Sequence, residues 1–268
     1  MIEKIDWNEI RKNLEEHKDT VMEVVINLSK FILRQRSEKN LQLAQDFLDS
    51  ARQNLEGYFF HYEKKNFSQG IFNLTLASEK LVKAYALAIG VIKKEELRKE
   101  VAHKSPLVYQ ITVEKEPFKS LFSFINLLNP KFTNNINLKD IISNKNFQLE
   151  MLRAREEDIK KFLDKCENFI NILNENRVIK NFFSQEEIKN VLDFEGGMEL
   201  FKYTFLLMVS SILLFPHYFT SNYPDSEEIK QKEYNENLGI VKVSPRLYKI
   251  LQSCHENLEE YILRGKND

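Results

Sequence analysis

Asn66–Val91 reads NFSQGIFNLTLASEKLVKAYALAIGV, and this stretch decides the fold. Phe67, Ile71, Leu74, Ser78, Leu81, Tyr85 and Ala88 recur at helical spacing and form one apolar stripe. Phe72, Leu76, Ala84 and Leu87 cover much of the opposite side. A helix that is apolar nearly all round is one that neighbours surround, so the segment is predicted to be the central helix of a bundle. Asn66 with Gln69 three residues on has the form of a capping box at its start, and Gly90 supplies the stop. The charges inside it are Glu79, Lys80 and Lys83, and Glu79 precedes Lys83 in the favoured i, i+4 order.

Upstream, Leu41, Ala44, Leu48, Ala51, Leu55, Tyr58 and Tyr62 form a nearly heptad stripe. The short link Glu63–Asn66 joins it to the central helix, and short links make antiparallel neighbours. An α-hairpin over 41–89 follows. Residues 3–36 carry a further helical pattern through Ile10, Leu14, Val21, Val25, Leu28 and Ile32, with a break at Arg34, Arg36 and Lys39. We therefore read 1–38 as an N-terminal helical extension and 39–268 as the bundle.

Downstream, Ser105-Pro106 suits an N-cap followed by a first helical residue, predicting a helix over 106–113. Ser244-Pro245 repeats the device before Leu247, Leu251, Cys254, Leu258 and Tyr261, a helix expected to end at Gly265. Pro117–Leu128 is predicted helical, and the Asn-rich 129–146 reads as an insertion. Phe147–Leu173 is predicted as one long amphipathic helix with Met151, Arg155, Ile159, Phe162, Cys166, Phe169 and Leu173 on its stripe. Phe182–Phe194 is ambiguous, Gly196-Gly197 reads as a break before an apolar helix over 198–215, and Tyr223-Pro224-Asp225 reads as a turn. Nothing reads as a strand, and the expected class is all-α.

Seven Gly and six Pro fit helices better than a turn-rich sheet, and twenty Phe with ten Tyr supply a core. A net charge of −1 gives no global field for a polyanion, so any such site must be a local patch. Cys166 and Cys254 are too few for a disulfide framework or a cysteine zinc site. Five scattered His show no helical metal-ligand pair, and no Gly-rich phosphate loop occurs, so no metal and no cofactor is expected. The opening MIEKIDWNEI has no signal-peptide core, which points to the cytoplasm. Tyr203–Phe219 falls short of the roughly 20 apolar residues that span a bilayer and ends in Pro216-His217, so it reads as a buried bundle helix and no membrane partner is expected.

The helix around Ala77-Ser78-Glu79-Lys80 and Val82-Lys83-Ala84-Tyr85 resembles the second helix of HEPN domains, and Ala51–Leu55 with Phe60-His61-Tyr62 resembles their first. His103-Lys104-Ser105-Pro106 is similar to the histidine that follows the hairpin in the longer prokaryotic members. Pro216-His217 followed by Tyr223-Pro224-Asp225 resembles their late segment. The resemblance implies an up-and-down HEPN-like bundle that binds RNA or a nucleotide, forms a homodimer through the hairpin and serves in stress response or defence. It implies cleavage only where an Arg and a His are separated by four to six intervening residues near the start of a late helix. Here Arg11–His17 and Arg98–His103 match that spacing but lie elsewhere, Arg153 and Arg155 have no His downstream, and Asn222 stands where an Arg commonly precedes the Tyr-Pro. The implied module is catalytically degenerate.

No catalytic residue is assigned, and the candidates are His103, His217 and Arg155. A metal-independent ribonuclease would need a base for the 2′-hydroxyl and a cation for the phosphorane charge, which one of these His with an Arg could supply. Candidate ligand contacts are Glu79, Lys83, His103, Lys104, Arg153, Arg155, His217, Asn222 and Tyr223. Five of them have a plainer reading beside the functional one. Glu79 and Lys83 line a polar pocket or form a surface ion pair; His103 serves a site or satisfies a helix start; Arg155 grips phosphate or snorkels; His217 serves a site or caps the frayed end of the apolar helix. A helical interaction scaffold without a nucleic-acid ligand is the third functional reading.

Overall fold

The computed structural model describes residues 38–115, 143–175, 194–221 and 231–267. The expectations for 1–37, 116–142, 176–193 and 222–230, which include Asn222, Tyr223 and the turn at Tyr223-Pro224-Asp225, lie outside the described residues. Among those described, the protein is all-helical. Helix α1 spans Glu38–Glu63, α2 Phe67–Ala88, α3 Leu107–Glu114, α4 Lys145–Leu152, α5 Glu156–Glu175, α6 Phe194–Leu214, α7 His217–Thr220 and α8 Gly239–Asn267.

The α1–α2 hairpin is the frame. Helix α2 packs against α1, α6 and α8, and it also touches α3 and α7. Its burial follows from that placement: 16 of its 22 residues are buried, including Ile71, Leu74, Leu81 and Leu87. Leu41, Ala44, Leu48, Ala51, Leu55 and Tyr58 of α1 complete the seam, while Tyr62 is partly buried. Truncating Leu81 to Ala removes packed methyl groups from this seam and should cost about 2–5 kcal/mol.

Both hairpin helices end the same way. Val91 N–H donates to Ala86 C=O at 3.0 Å and Gly90 N–H to Leu87 C=O at 3.1 Å, with Gly90 at φ 74°. Asn66 N–H donates to His61 C=O and Lys65 N–H to Tyr62 C=O, both at 2.9 Å, with Lys65 at φ 57°. Each pair satisfies two end carbonyls through one left-handed residue. Glycine does this freely; Lys65 does it against the crowding of its own Cβ.

Several helix starts differ from the sequence expectation. The Asn66 side chain makes no cap bond to α2, so the capping box does not form. Helix α3 begins at Leu107, and Ser105 is buried in the preceding turn and makes no cap. The 147–173 helix is two helices with a corner at Arg153–Arg155. There α8 begins, and a Cβ on Gly239 would stand 2.1 Å from Ala154 C=O, so the two backbones meet too closely for any side chain. The corner restarts the apolar register: Ile159, Leu163 and Cys166 are buried, and Phe162 is exposed. An Asn144 cap, accepting from the Asn146 and Phe147 N–H groups, starts α4 inside the expected insertion. Gly196-Gly197 lies inside the first turn of α6, and α8 continues past Gly265.

Pro245 is not a helix start either; it sits inside α8. A proline there leaves the carbonyl four residues back, on Val241, without its N–H donor. The Ser244 hydroxyl replaces that donor, reaching Val241 C=O at 2.8 Å. Its oxygen can then accept from the Tyr58 hydroxyl at 2.9 Å, a buried link between α8 and α1. Burial also pushes the Tyr58 phenol above its ordinary pKa, so it stays a donor. Helix α6 buries Leu206, Leu207, Val209, Leu213 and Leu214 in the bundle, and no described helix is long and apolar enough to cross a membrane.

Candidate functional site

Glu79 is 2% exposed and Lys83 7%, so their pair is buried and not the surface bridge that spacing alone allowed. Lys83 Nζ donates to Glu79 Oε1 at 2.6 Å. Burying a carboxylate is tolerable when a cation and hydrogen bonds compensate it, and Lys83 supplies the first. Lys80 Nζ stands 4.0 Å from the same oxygen, and both ammonium groups lie over the Phe47 ring, at 5.6 and 5.9 Å from its centroid.

The second carboxylate oxygen is met by a residue 24 positions along the chain. Val91, Ile92, Leu97 and Val101 are buried and pin the connection after α2. A helical turn at Lys94–Glu96 runs into a π-helical turn at Leu97–Val101, with Ala102 N–H donating to Leu97 C=O at 3.0 Å. Lys115 Nζ donates to Glu96 Oε1 at 2.8 Å and to Val91 C=O at 2.7 Å, closing this connection onto the end of α3. Val101–Lys104 is then a tight turn closed by Lys104 N–H on Val101 C=O at 2.8 Å. Ala102, at φ 45° and ψ −112°, holds the position of a II′ turn that favours glycine. His103 comes next and points back at α2.

His103 Nδ1 lies 3.3 Å from Glu79 Oε2 and 3.0 Å from the Tyr218 hydroxyl. A carboxylate can only accept, so the Glu79 contact requires the proton on Nδ1. The phenol oxygen can take the second branch of that N–H. Nε2 then carries the free lone pair in the neutral ring. The His103 and Tyr218 rings stack, with centroids 5.0 Å apart and planes at 23°, and Phe72 of α2 backs Tyr218 at 5.9 Å. With 58% of its side chain open, His103 faces water. The result is a solvent-open imidazole oriented by a buried carboxylate, beside Lys80 and the exposed Lys104.

Of the residues singled out from sequence, Glu79, Lys83 and His103 come together, and Lys104 adjoins them. His217 does not join them. It is fully buried, and Nδ1 meets the Tyr234 hydroxyl at 2.8 Å, which also meets Thr220 Oγ1 at 2.6 Å. His217 Nε2 has no hydrogen-bond partner among the described residues, and burial pushes its pKa down to about 3. It is a neutral core histidine, so its expected contact with ligand gives way to packing. Arg155 is exposed and its guanidinium is held by Asp158, Nε to Oδ2 at 2.9 Å; that bond raises its pKa further. Arg153 lines the same shallow groove at the α4–α5 corner, with Leu149 and Ala154. Neither arginine takes part in the Glu79 cluster among the described contacts.

Sequence reasoning missed Tyr218, Phe72 and Phe47. Tyr218 is one residue past the His217 that the titratable side chain drew attention to. Pro216, which lacks an N–H, sits between α6 and α7, where the chain turns Tyr218 outward and His217 inward. Compared with models of protein families, with curated proteins and with solved structures, the chain matches none.

Proposed function

We propose that this chain is a HEPN-like module that binds RNA or a nucleotide at the Glu79–His103–Tyr218 cluster, in a stress or defence role. The observation that carries the reading is the buried Glu79 carboxylate holding a solvent-open His103 beside Lys80 and Lys104. In this reading a phosphodiester meets the imidazole, with the Lys80 ammonium 4.0 Å from Glu79 Oε1 and the exposed Lys104 next along the chain as its cations, while stacked rings stand beside it. A protein with no net field gains affinity for a polyanion from such a local patch, and that affinity falls steeply with salt because counterions are released on binding. Lys80→Gln with Lys104→Gln should weaken binding of mixed labelled RNA and flatten its salt dependence. Wild-type binding that is absent at low salt removes this reading.

One observation favours a second reading, metal-independent RNA cleavage. The Glu79 contact leaves the His103 Nε2 lone pair open, which is the form a general base requires. In that reading Nε2 takes the 2′-hydroxyl proton, the 2′-oxygen bonds to phosphorus, and the 5′-oxygen leaves with a proton from water. The same RNA incubated in EDTA separates the two. Cleavage to 2′,3′-cyclic ends, lost in His103→Ala, favours the enzyme; binding with intact RNA favours the module. We also propose a homodimer through the α1–α2 hairpin, supported by Phe59 and Phe60 of α1, exposed at 56% and 60%. Sedimentation equilibrium reporting a single chain at all concentrations excludes it.

A further inference from the structure

We propose that the outer face of His103 is a stacking platform for an unpaired nucleobase, so that the module takes its ligand base-first and in single-stranded form. This rests on the RNA- or nucleotide-binding reading and specifies how that site is used. One face of the ring is covered by Tyr218, and the Nδ1 edge is turned to Glu79. The open 58% of the side chain is therefore the opposite face and the Nε2 edge. Behind the ring stand Tyr218 from α7 and Phe72 from α2, an aromatic column that ends at His103 and lacks a ring on its outer side among the described contacts. Glu79 fixes the plane of the ring from inside the bundle, so little freedom is left to lose when a base settles on it.

The ligand chemistry follows from what flanks the column. Lys80 Nζ reaches to 4.0 Å from Glu79 Oε1, and the exposed Lys104 follows His103 directly. A flat π-system carrying an attached phosphate uses the ring and the ammonium groups together. A peptide aromatic would use the ring and leave the cations idle. A base inside a duplex is stacked on both faces, so the platform favours single-stranded ligands over double-stranded ones. Because every base has a π-face, the platform tolerates any sequence.

The test uses the full chain and the fluorescence of 2-aminopurine, which stacking quenches, placed in a short single-stranded RNA, in its duplex and in a free mononucleotide. Quenching is expected with the single strand and not with the duplex. Quenching by the mononucleotide as well identifies a nucleotide ligand, and its absence identifies a strand. His103→Ala should abolish the quenching and weaken binding about 10-fold, whereas His103→Phe, which keeps a flat ring, should stay within about 3-fold of wild type. Tyr218→Phe should likewise bind, and Tyr218→Ala should not quench. A His103→Phe protein as weak as His103→Ala, or a His103→Ala protein that binds and quenches like wild type, overturns the platform while the RNA-binding reading stands. Wild-type protein that binds none of the three probes removes both. Thermal melts check that each variant is folded, and His103 is exposed enough for both substitutions to be tolerated.

Discussion

His103 stands in the turn before α3 and His217 at the first position of α7, and the bundle treats them in opposite ways. His103 is open to water on one side and bound to a buried carboxylate on the other. His217 is sealed in the core, with a phenol on Nδ1 and, among the described residues, no partner for Nε2. Burial without a counter-charge disfavours the imidazolium and makes His217 inert at ordinary pH. A buried counter-charge reached from an exposed position leaves His103 oriented and accessible. The contrast shows that chemistry at a histidine depends on where its partner is buried more than on where the histidine sits in the sequence.

The largest effect should come from breaking the partner of His103. Lys83→Met leaves Glu79 buried with a weaker set of contacts, and removing one member of a buried pair typically costs about 3–5 kcal/mol. Replacing both members by apolar groups of similar volume is often neutral, so Glu79→Met with Lys83→Met should recover most of that loss. The double variant would be folded and would have a His103 without its carboxylate. Urea melts of the three proteins make the measurement. A single Lys83→Met variant as stable as wild type would mean that Glu79 is not held as a charged group, and the orienting role given to it here would fail.

His217 gives the next effect, through pH. Its pKa in the folded chain is about 3, below the ordinary value of 6.5. As pH falls below 6.5 the unfolded chain takes up a proton that the folded chain refuses, so stability is present above that pH and is lost on acidification until the folded-state value is passed. Between pH 6.5 and pH 4 the loss amounts to about 3 kcal/mol from this one group. His217→Leu should remove that part of the acid limb while leaving RNA binding intact, and parallel urea melts at pH 7 and pH 4 read it directly. An acid limb of unchanged slope in the variant would show that His217 is not the group responsible.

The hairpin was legible because burial on α1 and α2 is periodic: Leu48, Leu74 and Leu81 announce their faces by spacing alone. Glu79 and Lys83 were legible as a pair but not as a buried one, since i, i+4 spacing looks the same on a wet edge and under a loop. The closeness of His103 to Glu79 depends on a return of 24 residues, and no local pattern encodes it. Pro245 misled for a definite reason. Ser-Pro is a helix-start signal, yet here the serine repairs the carbonyl that the proline strands, and the helix runs through. The corner at Arg153–Arg155 was hidden because its cause, Gly239, lies on another helix.

The smallest effect concerns the backbone that presents His103. Ala102 sits at φ 45°, where an L-residue is crowded by its own Cβ, and nothing about an alanine in sequence signals it. Ala102→Gly relieves that crowding but gives the unfolded chain more freedom, and these oppose each other at roughly 1 kcal/mol each. The expected result is a stability gain of no more than about 1 kcal/mol, because glycine is the residue the II′ position favours. RNA affinity should not change, since Glu79 and Tyr218, not the strained backbone, fix the ring. Ala102→Val should do the reverse and lower the thermal midpoint, because a branched side chain meets the same crowding with more atoms. If Ala102→Gly kept its stability but lost RNA affinity, the strain itself would be what holds His103 in place, and the carboxylate would be an accessory to it.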